Sequence, residues 1–180
     1  RSTRNDAALL SAGFSAPVHL ASGQLTNHHQ YSFSKAVAGE GITDWCRVHL
    51  KNRTGEALRQ RRRLLNGMGQ FVGRMHASGF THGDLRTSNI LAAQVKDDFA
   101  FSLIDNERTR RQAPASGRHI LRNLMQLNML LPSDVTRTDR WRFFLAWQQQ
   151  MPDFSRVESR LLARESYRWA MRRLAAKGLI

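Results

Sequence analysis

Three side chains whose oxygen atoms suit a hard cation lie beside apolar runs of this sequence. Asp84 and Asn89 lie in HGDLRTSNIL (residues 82–91), and Asp105 follows the apolar run FSLI. Phosphoryl transfer needs an acidic group that orients the attacking hydroxyl, and carboxylate or amide oxygens that hold magnesium. The three side chains could supply this chemistry if the fold brings them into one cleft.

The neighbouring elements predict that the fold brings the three side chains into one cleft. From about Thr54 to Gly79, apolar residues recur at steps of three and four, which indicates a long amphipathic helix with one buried stripe. After Asn89, the segments NILAAQV and FAFSLID are joined by KDD and predict a β-hairpin. Because this hairpin is short enough to fold back, we expect it to return Asp105 to the cleft that Asp84 and Asn89 face.

The rest of the chain predicts a small β-containing start and a mostly helical remainder, an α+β fold. A helix end at 5–12 is followed by extended segments at 15–23 and 28–37 and a glycine-bearing connector at 38–45. His28 and His29 are expected in a solvent loop, because adjacent side chains point apart. Residues 106–119 read as a loop, and helices are predicted at 120–131, 137–147 and 157–178, with Trp141 in the core. Thr136 and Asp139 have capping-box spacing.

The chain is strongly basic. It has 28 Lys and Arg against 14 Asp and Glu, a formal net charge of +14, and an ordinary 41% of hydrophobic residues in 180. Arginines attract polyanions such as nucleic acid, an anionic membrane surface or a phosphorylated glycan, although solvated helix faces would give the same composition. No run of about 18 apolar residues predicts a transmembrane segment. The single cysteine, Cys46, excludes an internal disulfide.

Two motifs carry a resemblance to a known superfamily. THGDLRTSN resembles the catalytic loop of the protein-kinase-like superfamily, and LIDNE resembles its metal-binding aspartate strand. The resemblance implies that Asp84 is the catalytic base, that Asn89 and Asp105 bind magnesium, and that His82 supports the loop.

Within that superfamily, four further segments are similar to the bacterial lipopolysaccharide core kinases, the Kdo and heptose kinases. They are SAGFSAP, IDNER, RNLMQLN and TRTDRWRF. This resemblance implies an ATP- and Mg²⁺-dependent phosphotransferase that phosphorylates a sugar of the lipopolysaccharide inner core. The acceptor would be an anionic glycolipid, and the protein would be cytoplasmic and peripheral at the inner face of the inner membrane. Arg86, Arg108 and Arg110 are candidates to bind its phosphate or acceptor groups. No nucleic-acid partner is expected, since no recognition motif occurs.

The implied fold divides the chain into a remnant of the N-terminal nucleotide lobe and hinge at 1–40 and a helical C-terminal catalytic lobe at 41–180. Neither a glycine-rich phosphate loop nor a nucleotide-binding lysine strand occurs, and Asp6 is the only acid near the place of the usual helix glutamate. We therefore expect this chain alone to be inactive. Two alternatives remain: a phosphotransferase of the aminoglycoside or choline kinase type, whose cationic substrates fit a +14 chain poorly, and a pseudokinase or scaffold that binds an anionic partner.

Overall fold

The computed structural model describes residues 1–26 and 29–180, and His28, expected in a solvent loop, lies outside them. The helices are α1 (Ser2–Ser11), α2 (Ile42–Asp44), α3 (Gly55–Ala77), α4 (Gly117–Leu127), α5 (Arg137–Gln148) and α6 (Arg156–Ala175). The strands are β1 (His19–Gln24), β2 (Gln30–Ser34), β3 (Glu40–Gly41), β4 (Phe80–Thr81), β5 (Ile90–Val95), β6 (Asp98–Leu103) and β7 (Arg110–Arg111). Shorter turns are a π-helical turn (Trp45–His49) and two 3-10 turns (Thr87–Asn89 and Asn106–Arg108).

Helix α3 is the central element of the core, as its periodicity predicts. Its buried stripe comprises Leu64, Leu65, Met68, Phe71, Val72 and Met75. The helix packs closely on α5, because a Cβ added at Gly69 would overlap the backbone carbonyl of Phe143. Glycine at this position therefore allows α3 and α5 to pack closely against each other.

The predicted hairpin is confirmed as strands β5 and β6, which pair antiparallel from Ile90 with Leu103 to Val95 with Asp98. Lys96 and Asp97 form the turn, and Lys96 adopts a positive φ of 56°. Strand β3 pairs with the other edge of β5, giving a three-stranded sheet in the order β3-β5-β6. Strands β1 and β2 form a separate antiparallel hairpin.

Two expectations need correction. Residues 106–119 are not all loop, because β7 pairs with β4 and places Arg110 opposite Thr81. A strand of this length has no sequence periodicity, so only the distant partner defines it. Trp141 is not in the core: it is 46% exposed and stacks on Phe144 at the surface of α5. The predicted Thr136–Asp139 capping box is confirmed at the start of α5.

Asp139 also belongs to a buried ion pair that joins α3 to α5. Arg61 is fully buried, and its Nε donates to Asp139 Oδ2 at 3.1 Å. The same guanidinium donates to the carbonyls of Cys46 and Leu50 at 3.2 and 3.0 Å, so its charge is surrounded by acceptors. The ion pair therefore connects α3 to α5 within the core. Among the described residues, no helix combines the length and apolar character needed to cross a membrane.

Candidate active site

The loop at residues 82–89, here called the HGD loop, is held by side chains of α4 that hydrogen-bond to its backbone. The Oδ1 of Asn123 accepts the backbone N–H of His82 at 3.0 Å, and its Nδ2 donates to the His82 carbonyl. The Oε1 of Gln126 accepts the backbone N–H of Leu85 at 3.0 Å. These amides replace the backbone partners that an irregular buried segment otherwise lacks.

A buried histidine fixes the amide of Asn123. The indole Nε1 of Trp147 donates to Nδ1 of His76 at 2.9 Å, so Nε2 of His76 carries the proton and donates to Asn123 Oδ1 at 3.2 Å. Burial lowers the pKa of His76 to about 4, against the opposing effect of the Asn123 hydrogen bond. The imidazole is therefore neutral near pH 7, and Asn123 Oδ1 accepts from both His76 and the His82 N–H of the HGD loop.

His82 links the HGD loop to the segment that carries Asp105. Its Nδ1 accepts the backbone N–H of Asp84 at 3.1 Å, so its Nε2 donates to the carbonyl of Ile104 at 3.1 Å. Burial lowers the pKa of His82, and the Ile104 bond and the charges of Asp105 and Asp84 oppose this change. With both ring nitrogens bonded to backbone groups, His82 cross-links the HGD loop to the segment that carries Asp105.

Asn89 makes a second link between the HGD loop and the segment that carries Asp105. Its Nδ2 donates to the carbonyl of Asp84 at 2.9 Å, and its own carbonyl accepts the N–H of Ile104 at 3.1 Å. The residue before Asp105 is thus bonded through both backbone groups to the HGD loop. The structure brings the segments of Asp84, Asn89 and Asp105 together in the arrangement expected from the hairpin.

The Asp84 carboxylate is bound on one side. Its Oδ1 accepts Nε2 of Gln126 at 3.1 Å and Nε of Arg86 at 3.0 Å, and its side chain is 23% exposed. Within residues 1–26 and 29–180, Oδ2 accepts no hydrogen bond. The carboxylate is therefore oriented and still has one oxygen free for a ligand. Arg86, expected to contact phosphate or acceptor, lies on this carboxylate with 68% of its side chain exposed.

Asp105 and Asn89 carry the types of oxygen atom that magnesium prefers. Asp105 has a left-handed backbone with φ of 59°, which is uncommon outside glycine and is frequently found at functional sites. In the described parts of the chain, neither its carboxylate nor Oδ1 of Asn89 has a hydrogen-bond partner. The same parts contain no group of three or more His, Cys, Asp and Glu side chains placed for a metal. One carboxylate and one amide suffice for Mg²⁺, which takes its other ligands from water and substrate phosphates.

Helix α1 packs on the segment that follows Asp105. Asn106 is buried, and its Nδ2 donates to Oδ1 of Asp6 at 2.7 Å. Asn5 Nδ2 in turn donates to the carbonyl of Asn106 at 2.7 Å. Asp6, the acid near the expected place of a helix glutamate, therefore holds the IDNER segment directly.

Arg108 and Arg110 lie apart from the contacts of Asp84. Both line a cavity of about 370 Å³ that His82 and Gly83 also line. The sequence prediction missed Asn123, Gln126 and His76 as residues of the site. A signal existed, since Asn123 and Gln126 are polar residues three apart on the apolar face of α4, where buried amides need partners.

Comparisons with known proteins identify the family and the fold. Residues 7–147 match the model of the lipopolysaccharide kinase (Kdo/WaaP) family. Among solved structures, the chain is similar to one described as WaaP in complex with acyl carrier protein, with a TM-score of 0.67 and 19% identity over 93% of this chain and 76% of that chain. The comparison with curated proteins returned no match. Since the family model spans more than half of its residues, the chain belongs to the lipopolysaccharide kinase (Kdo/WaaP) family, whose members are phosphotransferases.

Proposed function

We propose that the protein transfers the γ-phosphoryl group of ATP to a sugar hydroxyl of the lipopolysaccharide inner core, with Asp84 as the catalytic base. The observation that carries this proposal is the state of the Asp84 carboxylate. One oxygen is held by Gln126 and Arg86, and the other is free. A base that is oriented and reachable is what the attacking hydroxyl needs.

The proposed transfer step forms one bond, breaks one bond and passes one proton to Asp84. The sugar oxygen forms a bond to the γ-phosphorus, the bond from that phosphorus to the bridging oxygen breaks, and ADP leaves. The hydroxyl proton passes to Oδ2 of Asp84. Gln126 and Arg86 keep the carboxylate pointed at the acceptor throughout, because both donate to Oδ1.

Asn89 and Asp105 would hold magnesium, through Oδ1 of the amide and the carboxylate. When bound, the ion neutralises negative charge on the phosphoryl group in transfer. His82 maintains the two ligand segments in register by bonding Asp84 N–H and the Ile104 carbonyl. This role needs a neutral ring, which burial favours.

The charge supports an anionic acceptor at a membrane surface. With a formal +14, the protein would be attracted to anionic lipid at the inner face of the inner membrane. In this proposal, residues 1–40 belong to the nucleotide side of the cleft and residues 41–180 supply the base, the metal ligands and the acceptor side. Arg108 and Arg110 are the acceptor contacts that we favour, since both face a cavity beside the HGD loop.

The test uses protein expressed from its complete reading frame, ATP, Mg²⁺ and purified lipopolysaccharide core. Asp84→Asn should lower the transfer rate by at least about a thousandfold while leaving the melting temperature unchanged, because Asn retains the shape but is not a base. Asp97→Asn, on the exposed hairpin turn, is the matched control and should retain activity. Transfer by Asp84→Asn at the rate of that control would refute the assignment.

A further inference from the structure

A cavity beside the HGD loop is lined by arginines from three separate elements. It measures about 370 Å³, the size of a small-molecule site, and His82 and Gly83 form one wall. Arg108, Arg110 and Arg122 face it from other sides. Asp84 follows Gly83 directly in the chain, so the cavity lies one residue from the proposed base, although Asp84 itself does not line it.

The fold places each arginine for a specific reason. Arg110 lies opposite Thr81 in the β4–β7 ladder, and Thr81 lines the same cavity. Its neighbour Arg111 points to the other face of the strand, where its guanidinium lies 5.1 Å from the Phe80 ring centre. Alternation along β7 thus directs one arginine to the cavity and the other to an aromatic ring.

Arg108 approaches through a close backbone contact. A Cβ at Gly83 would overlap Cβ of Arg108 and lie 2.7 Å from its carbonyl oxygen, so only glycine permits this contact. On α4, Arg122 faces the cavity together with His119, one turn earlier. Arg118, on the same helix, does not line it.

These guanidinium groups have no protein partner. In residues 1–26 and 29–180, the side chains of Arg108, Arg110 and Arg122 form no ion pair or hydrogen bond. The acid in the lining, Glu107, forms no ion pair there either. In a chain with twice as many basic as acidic residues, unpaired arginines are expected in many places. Their convergence on one cavity is the informative feature, because like charges repel unless an anion joins them.

We infer that this cavity binds a phosphate monoester already present on the acceptor sugar. The inference rests on the proposed function, which supplies the sugar. A phosphate dianion offers the charge and the several oxygens that planar guanidinium groups pair with, and the volume leaves room for the attached ring. The acceptor is then a sugar phosphate, and an earlier phosphorylation must produce it.

The experiment measures binding without transfer. The chain carrying Asp84→Asn is titrated calorimetrically with glucose 6-phosphate, inorganic phosphate and glucose at constant ionic strength and without ATP. We expect saturable binding of glucose 6-phosphate, weaker binding of inorganic phosphate, and none of glucose. Arg122→Gln should weaken glucose 6-phosphate binding by roughly tenfold, as expected for the loss of one charged hydrogen-bond donor, and Arg118→Gln should leave it unchanged.

Each other outcome overturns the inference. Equal weakening by Arg118→Gln would mean that diffuse charge attracts the anion. If glucose 6-phosphate bound no more tightly than inorganic phosphate, the cavity would not recognise the sugar. If no saturable binding occurred, the cavity would not be a phosphate site. Because no transfer is measured, loss of this inference leaves the role of Asp84 intact, and a catalytically normal Asp84→Asn variant of the complete protein would refute only the proposed base.

Discussion

At the proposed base, the carboxylate is oriented by an amide from a different element. Gln126 spans the gap between α4 and the HGD loop: its Nε2 donates to Asp84 Oδ1, and its Oε1 accepts from Leu85 N–H. Its amide therefore fixes the backbone of the loop and the side chain of the base at once. We regard Gln126 as a positioning residue, since it contacts the base and not the substrate.

Gln126→Leu removes this orientation while keeping a side chain of similar volume. We expect kcat for sugar phosphorylation to fall roughly tenfold, because the exposed Arg86 alone then orients the carboxylate toward the hydroxyl. The KM for ATP should not change, since the variant leaves Asn89 and Asp105 in place. Steady-state kinetics of the complete protein measure both quantities.

The control for this variant is Gln149→Leu, which changes the same residue type on an exposed position just after α5. If Gln126→Leu raised the KM for ATP and left kcat unchanged, the residue would support the nucleotide site and not the base.

At this scale the sequence predicts the groups that touch a ligand but not those that hold them. The spacing of Asp84, Asn89 and Asp105 is restricted by chemistry, so it is visible in the chain. Asn123 bonds the loop across 41 positions of sequence, and His76 bonds Asn123 across 47. Many polar residues could meet these needs. Within RNLMQLN, the position of Asn123 and Gln126 on the apolar face of α4 indicates buried amides but does not identify their partners.

Among the elements, the contact of α3 with α5 depends on one glycine. Ala has a higher helix propensity than Gly, which on its own would stabilise α3 by up to about 1 kcal/mol. At Gly69, however, the new methyl group would overlap the carbonyl of Phe143, a backbone atom that cannot rotate away. The helices would have to separate along the core.

Gly69→Ala should therefore lower the free energy of unfolding by roughly 2 kcal/mol, the usual cost of overpacking. Urea denaturation followed by circular dichroism measures it. Gly117→Ala, at the first residue of α4 with no atom within 4 Å of the new Cβ, should be neutral or stabilising. A neutral Gly69→Ala would mean that α5 shifts freely against α3.

Long elements were predictable from periodicity and short ones were not. Apolar residues recur often enough along α3 to identify a helix, and along residues 90–103 to identify a pair of strands. Strand β7 spans only Arg110–Arg111, and its identity depends on β4, about thirty residues earlier. Arg61 is another case: an arginine within a helix reads as solvated until Asp139 packs against it.

For the whole molecule, the buried histidines couple folding to pH. In the unfolded chain the imidazole of His76 has its ordinary pKa of 6.5, and in the folded protein burial lowers that pKa to about 4. Between these values the unfolded state binds more protons than the folded state, so stability rises with pH. The contribution is complete above pH 6.5 and is lost as the pH falls toward 4. Burial also lowers the pKa of His82, which acts in the same direction.

The shift of His76 corresponds to roughly 3 kcal/mol of unfolding free energy between pH 6.5 and 4. His76→Gln keeps a donor for Asn123 and an acceptor for Trp147 but cannot titrate. We therefore expect the variant to be less stable than the wild type at pH 7.5 but to lose less stability on acidification, with the difference narrowing by pH 5. Urea unfolding at both pH values tests this. Parallel pH profiles for the two proteins would show that His76 titrates alike in the folded and unfolded states, and that the hydrogen-bond chain from Trp147 to the HGD loop does not require its neutral form.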